Sequence, residues 1–316
     1  MAPDDRLQVA QELTVTRLGG LIGAQVDGVD LDEDLTPEVE CQLREALARH
    51  QVLVFRGGRD VSAQAQRRLA AVFGELQPPA PCSFLDADIA PAGLDRGASN
   101  SAAASTQAAA PGSYLLREDL QELGIEGEFD GWHNHSTFAP WISRVDVLRA
   151  DATLPVGGDA CFSSLRAAYD ELSPAMQGWL EGLEALHIAP EGYRKNLRLD
   201  AFGPDAEARF EAQFPPRQWP LVIAHPETDR KILFVNPACM VHVAGLKRAE
   251  SHSLIRFLCH HVASVSFIYR HHWQPGDIVV RDVVSTLHRM PEGYSARDRW
   301  LSRVAAGQVV PDAHTG

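Results

Sequence analysis

Apolar positions recur along this chain at two periods, and each change of period marks an element. Leu13 to Thr16 alternates with the period of two expected of a strand, and after Gly19-Gly20 the alternation resumes over Leu21 to Val26. Thr36-Pro37 opens a helix. The threonine hydroxyl is the N-cap, proline takes the first helical position, and Val39, Leu43 and Leu47 follow at helical spacing. Val52-Leu53-Val54-Phe55 is a short β-branched run that predicts a buried strand. Ser62 caps the next helix, whose Leu69, Val72 and Phe73 face inward ahead of Gly74-Glu75-Leu76.

From about Pro78 to Asp130 the pattern lapses. Gly97 to Gly112 is low-complexity Ala/Ser, and Ala98 to Ser105 has no amphipathic period. A long irregular segment inside a compact domain is an insertion or a functional lid. Its place just before His133 favours a lid over the site, at about 78–130. Beyond it, Val145, Val147 and Leu148 predict a strand, and Gly157-Gly158-Asp159 a turn. Ser163 is read as the cap of a helix through Leu172, with a second helix near Met176 to Leu186. Strands recur at Leu221-Val222-Ile223 and at Ile232-Leu233-Phe234-Val235. A helix over Ala249 to His261 leads into a strand from Val262 to Tyr269. Trp273-Gln274-Pro275-Gly276-Asp277 is a tight turn into Ile278-Val279-Val280, and Trp300 to Ala305 closes the set. Short strands with few βαβ alternations point to a mainly β, double-sheet fold with helices packed outside. The 316 residues are taken as one domain.

Composition narrows the function. The apolar fraction of 45% suffices for a sizeable core. A formal charge of −13 argues against nucleic acid as a partner, while a local arginine cluster still permits an anionic small-molecule substrate. The five cysteines (Cys41, Cys82, Cys161, Cys239, Cys259) lack metal-type spacing and read as reduced thiols. The acidic start Met1-Ala2-Pro3-Asp4-Asp5 is unlike a signal peptide, and no apolar run reaches the membrane-spanning length of about 18 residues. The expectation is a cytoplasmic protein with no membrane partner.

The chemistry concentrates in Trp132-His133-Asn134-His135 and, far downstream, in Thr286-Leu287-His288. Residues two apart on a strand point to one face, so a single metal reaches both His133 and His135. His288 has to arrive from a neighbouring strand. Arg299 follows it by eleven residues and Arg303 by four more. A guanidinium offers a planar fork for a carboxylate and stays charged at any working pH. Three histidines with spaced arginines describe a mononuclear metal site with an anion anchor, of the kind non-haem iron uses with positions left open. The bland alternative is a chance placement of three among 13 histidines, with arginines in surface ion pairs. The joint spacing of all five residues favours the metal site.

The chain resembles the TauD/TfdA dioxygenases, iron(II) and 2-oxoglutarate-dependent oxygenases with a double-stranded β-helix (jelly-roll) fold. The likeness runs through Ile22-Gly23-Ala24-Gln25-Val26-Asp27-Gly28-Val29-Asp30-Leu31, His50-Gln51-Val52-Leu53-Val54-Phe55-Arg56 and Phe73-Gly74-Glu75-Leu76. It continues through Trp132-His133, Pro155-Val156-Gly157-Gly158-Asp159, Ala167-Ala168-Tyr169, Leu233-Phe234-Val235-Asn236 and Trp273-Gln274-Pro275-Gly276-Asp277. The resemblance implies that His133 and His288 are metal ligands, that Arg299 anchors 2-oxoglutarate, and that Arg303 sits near the cosubstrate and the substrate anion. The implied reaction is oxidation of a small anionic molecule by O2 at iron(II), coupled to conversion of 2-oxoglutarate to succinate. Assembly into homo-oligomers is also common in the family.

The departures matter as much. His135 stands where the family has an aspartate ligand. Ala160 replaces a threonine that helps hold the cosubstrate, Val283-Val284 replace an Asn-Arg pair, and Pro78-Pro79 replace a histidine-bearing segment used for the taurine sulfonate. Taurine is therefore not the expected substrate. A neutral imidazole in place of a carboxylate raises the charge of the protein–iron unit by one and loosens metal selectivity, and it fills the position a halide would need. Asp130, three residues before His133, points the wrong way at strand spacing. The lead reading is a three-histidine iron oxygenase using His133, His135 and His288. A 2-oxoglutarate-independent three-histidine oxygenase and a non-catalytic ligand-binding member of the fold stay open.

Overall fold

The structure is a computed structural model that describes residues 13–57, 61–77, 113–116, 131–134, 136–153, 156–190, 205–291 and 300–311. Strands β1 (Thr14–Arg17) and β2 (Ala24–Asp27) precede helix α1 (Pro37–His50), strand β3 (Val52–Phe55) and helix α2 (Ala63–Ala71). Thr36 and Ser62 accept from Val39 N and Ala65 N, which caps both helices as their sequences require. Strands β4 (Leu76–Gln77), β5 (Ser113–Leu116), β6 (Ile142–Ala152) and β7 (Ala160–Ser164) follow. Helices α3 (Leu165–Asp170) and α4 (Pro174–Leu180) lead to β8 (Glu184–His187). Helix α5 (Ala206–Gln213), strands β9 (Arg217–Pro220), β10 (Val222–Ala224), β11 (Lys231–Leu233) and β12 (Met240–Val243), and helix α6 (Arg248–Val262) form the next stretch. Strands β13 (Ile268–His271), β14 (Ile278–Asp282), β15 (Thr286–Arg289) and β16 (Trp300–Val309) complete the described chain.

Two sheets build the barrel. The larger runs β1-β2-β3-β14-β6-β16-β4, with β5 also pairing β16, and the smaller runs β13-β7-β15. Alternation along the large sheet sorts its side chains into two layers. Leu53, Phe55, Val145, Val147, Ile278, Val280, Val304 and Ala306 pack outward against α1 and α2. Val52, Val54, Leu148, Ala150, Val279 and Leu301 point inward and meet Ala160 and Phe162 of the small sheet. A third cluster joins the small sheet to α3, α6 and the β8–β12 region, including Leu165, Phe234 and Leu258.

Buried polar side chains then tie strands to helices. Gln66 of α2 donates through Nε2 to Val147 O at 2.9 Å and Ser302 O at 3.0 Å, and its Oε1 accepts from Ser302 Oγ at 2.9 Å. One amide thereby fixes α2 across two adjacent strands. Gly74, at φ +143°, is needed for close approach, since a Cβ there would lie 2.8 Å from Gly307 Cα.

Most predicted elements are present, and the differences have local causes. The helix cap is Ser164, which accepts from Ala167 N, whereas Ser163 stays in β7 and donates to Val262 O at 2.5 Å. The helix expected to Leu186 stops at Leu180, and Glu184–His187 form β8 because Ala185 and His187 are drawn into the interior beside β9 and β12. Helix α6 runs through Val262, so the strand expected from there begins only at Ile268. Within the predicted lid, residues 113–116 form β5 on the edge of β16. The rest of that segment from 78 to 130, with Cys82 and Asp130, lies outside the described residues.

Gln66→Ala should cost about 1–3 kcal/mol, because it strands the buried Ser302 hydroxyl and two strand carbonyls. Urea unfolding measures this; an unchanged midpoint would show that Gln66 does not join helix to sheet.

Candidate metal centre

His133 belongs to no strand, yet it extends the small sheet by one residue. Its N–H donates to His288 O at 3.0 Å and its carbonyl accepts from His288 N at 2.9 Å, an antiparallel hydrogen-bonded pair on the free edge of β15. Directly opposed residues in such a pair present their side chains on the same face. The two imidazoles accordingly meet, with ring centroids 4.1 Å apart and Nε2 atoms 2.6 Å apart. Backbone register thus places His133 beside His288.

The proton arrangement suits a cation. His133 Nδ1 lies 2.9 Å from Gly131 O, so it is the protonated nitrogen and Nε2 carries the lone pair. Burial pushes His133 down to about 4, assisted by Arg281 and opposed by the Gly131 carbonyl, so the ring is neutral at physiological pH. Two convergent imidazole nitrogens, one fixed in the ligating tautomer, fit iron(II) and other intermediate metals. Among the described residues no cluster of three or more metal-ligating side chains occurs, and His135 lies outside them.

Asn134, buried beside His133, is held on every side. Its Nδ2 donates to Val283 O at 2.6 Å and its Oδ1 accepts from Arg281 Nη2 at 3.1 Å. Its backbone N–H donates to Asn236 Oδ1 at 3.2 Å and its carbonyl accepts from Asn236 Nδ2 at 2.7 Å. Asn236 also donates to Thr137 Oγ1, which lies 2.9 Å from His187 Nδ1, and Thr137 O accepts from Trp219 Nε1 at 2.7 Å. Burial pushes His187 down to about 3, so it stays neutral in this wall. A segment without regular structure can be buried only when its polar groups are satisfied in this way.

Three charges share the inward face of the large sheet. Asp146 on β6 stands opposite Arg281 on β14, and Arg303 on β16 is diagonal to it. Asp146 Oδ2 accepts from Arg281 Nε at 3.2 Å, and its Oδ1 accepts from Arg303 Nε at 2.7 Å. Burial raises Asp146 to about 6 against the pull of Arg281, which leaves it ionised at neutral pH. Burial also lowers Arg303 to about 9, while the carboxylate at 2.7 Å favours its charged form. Arg303 is therefore a buried, charged, oriented guanidinium.

This architecture has relatives of known family. Residues 14–305 match the family described as taurine catabolism dioxygenase TauD, TfdA family. The chain belongs to the TauD/TfdA family. It is 34% identical over 280 residues, 85% of this chain and 88% of the relative, to an alpha-ketoglutarate-dependent 2,4-dichlorophenoxyacetate dioxygenase of Cupriavidus pinatubonensis. It is 27% identical over 306 residues, 96% of this chain and 92% of the relative, to an alpha-ketoglutarate-dependent sulfate ester dioxygenase of Pseudomonas putida. A crystal structure of a taurine dioxygenase from Burkholderia xenovorans superposes with a TM-score of 0.72 at 25% identity, covering 96% of this chain and 92% of that one.

TauD/TfdA membership makes the protein a 2-oxoglutarate-dependent dioxygenase with the jelly-roll fold expected from its sequence. It also brings iron(II), 2-oxoglutarate and O2 as the family's requirements. Of the residues singled out in the sequence, His133, His288 and Arg303 are described, whereas His135 and Arg299 lie outside the described residues. No described helix is long and apolar enough to cross a membrane. Asp146 and Arg281 join the site without a motif to mark them; their signal is a charge within or ending an apolar run, as in Val145-Asp146-Val147 and Val279-Val280-Arg281. Asn236 closes Leu233-Phe234-Val235-Asn236, one of the stretches that carry the family resemblance.

Asp282 fixes the turn that carries the chain into β15 of this TauD/TfdA barrel. Its Oδ1 accepts from Val284 N at 3.0 Å and Ser285 N at 3.2 Å and pairs with Arg144 Nη1 at 3.0 Å; its Oδ2 meets His225 Nε2 at 2.7 Å. Burial alone would raise the Asp282 carboxyl, but Arg144 and His225 outweigh it and hold the group well below the usual carboxylate range. A folded value below the unfolded one, about 3.9, gives stability that is present above that pH and lost as pH falls through the folded value. Asp282→Asn should therefore cost about 3–5 kcal/mol at pH 7. In urea titrations the gap to wild type should narrow only below about pH 4; a gap constant down to pH 3 would contradict this assignment.

Proposed function

We propose that this protein is an iron(II) oxygenase in which His133, His135 and His288 hold the metal and Arg299 receives the far carboxylate of 2-oxoglutarate. Arg303 then faces the near carboxylate or the anionic group of the substrate. The substrate is a small anionic molecule, a class that includes the phenoxyacetate and sulfate esters for which the relatives are named. The observation that carries this reading is the convergence of His133 and His288 Nε2 atoms at 2.6 Å, with His133 Nδ1 already committed to Gly131 O.

When bound, iron(II) with 2-oxoglutarate and O2 supplies the oxidant, and 2-oxoglutarate leaves as succinate and CO2. The chain's own contribution is orientation and charge. The Gly131 carbonyl keeps the His133 proton away from the ligating nitrogen. The His133–His288 backbone pair fixes the angle between two imidazoles. Asp146 holds the Arg303 guanidinium by its Nε edge, so an anion meets an aligned fork with little side-chain entropy left to lose. With His135 in place of a carboxylate, the metal and its protein ligands carry a net charge of about +2 before the cosubstrate dianion arrives.

Anaerobic titration of the protein with iron(II) and 2-oxoglutarate should give a metal-to-ligand charge-transfer band, and succinate should form once O2 is admitted. No band and no succinate would overturn the oxygenase reading. His288→Ala should abolish the band. His135→Asp should change both metal affinity and product distribution, and a variant unchanged in both would remove His135 from the ligand set.

A further inference from the structure

We infer that Arg281 is a positioning residue that locks the metal-binding arm to the carboxylate holding Arg303. This rests on the metal-centre reading above. Arg281 is fully buried on β14, and its guanidinium spans two partners: Nε and Nη2 lie 3.2 and 3.1 Å from Asp146 Oδ2, while Nη2 also donates to Asn134 Oδ1 at 3.1 Å. The Asn134 amide cannot be turned over, because its Nδ2 donates to Val283 O at 2.6 Å, so Oδ1 is the atom facing the arginine.

Asn134 is the residue between the two histidines of the arm, and His133 has only one backbone register position on β15. Any rotation of that arm moves His133 Nε2 relative to His288. Asn236 restrains the Asn134 backbone, and Arg281 Nη2 donates to the Asn134 side-chain oxygen. The other end of the same fork is anchored on Asp146, whose second oxygen holds Arg303. A rigid path of three hydrogen-bonded side chains therefore joins the imidazole arm to the anion-binding guanidinium. Lysine at 281 would keep the charge but lacks a planar fork that can span both partners. Partners of this kind behind metal ligands typically change affinity by about 10–100-fold.

The test is cobalt(II) binding to the cosubstrate-free protein, followed by its visible spectrum, with thermal stability recorded alongside. Arg281→Lys and Asn134→Ala should each weaken cobalt(II) binding about tenfold. The double variant should be no more than about twofold weaker than the worse single one, because both cut one path. Wild-type affinity in Arg281→Lys, or losses that multiply to about a hundredfold, would overturn the inference. If Arg281→Lys does not fold, Asn134→Ala, which leaves the buried charges paired, carries the test alone, and unchanged cobalt(II) binding in it would again overturn the inference. A wild-type protein that binds no cobalt(II) and gives no 2-oxoglutarate band would instead sink the metal-centre reading itself.

Discussion

Everything around the candidate centre depends on burying a short polar segment that belongs to no regular element. Residues 131–134 bring Trp132, His133 and Asn134 into the barrel wall, where unsatisfied backbone groups would each cost about 1–3 kcal/mol. The reciprocal hydrogen bonds between His133 and His288 take care of one edge, and Asn236 and Val283 O take care of the other. The approach of His133 to His288 is therefore a by-product of hydrogen-bond satisfaction. Two imidazoles face each other because their backbones form an antiparallel pair.

The same requirement governs charge. The chain carries a net −13, yet the inward face of its large sheet presents two arginines around one aspartate. Local geometry, not overall charge, sets what this interior attracts. A buried pair left with one partner missing is strongly destabilising, so Asp146 and its arginines stand or fall together. Asp282 plays the matching part at the end of β14, where it gathers Arg144, His225 and two backbone N–H groups under the turn into β15.

Much of the fold could be read from the chain because its signals are local. Thr36-Pro37 and Ser62 cap helices where they are expected to, and Val52 to Phe55 forms the buried strand its composition implies. Tertiary contacts decide the remainder. Ser163 and Ser164 are equally good caps in sequence, and only the register of β7 against β15 sends one to the helix and the other to Val262 O. The stretch after Leu180 has helical spacing, yet Glu184–His187 is pulled into a sheet by β9 and β12. At the site, histidine and arginine spacing marks His133, His135, His288, Arg299 and Arg303 as candidates, and the structure describes the first, third and last of them. Asp146 and Arg281 are not legible in the same way, because a charge within an apolar strand gives no hint of its partner across the sheet.

Under the proposed function, His133 and His288, already side by side through their backbone pair, receive one metal ion between them. Crystals grown without oxygen in manganese(II) and 2-oxoglutarate, measured at the manganese absorption edge, test it most directly. A single anomalous peak is expected within bonding distance of Nε2 of both His133 and His288, with Asn134 Oδ1 still accepting from Arg281. A peak bonded to neither histidine, or none while the two imidazoles remain hydrogen-bonded to each other, would contradict it.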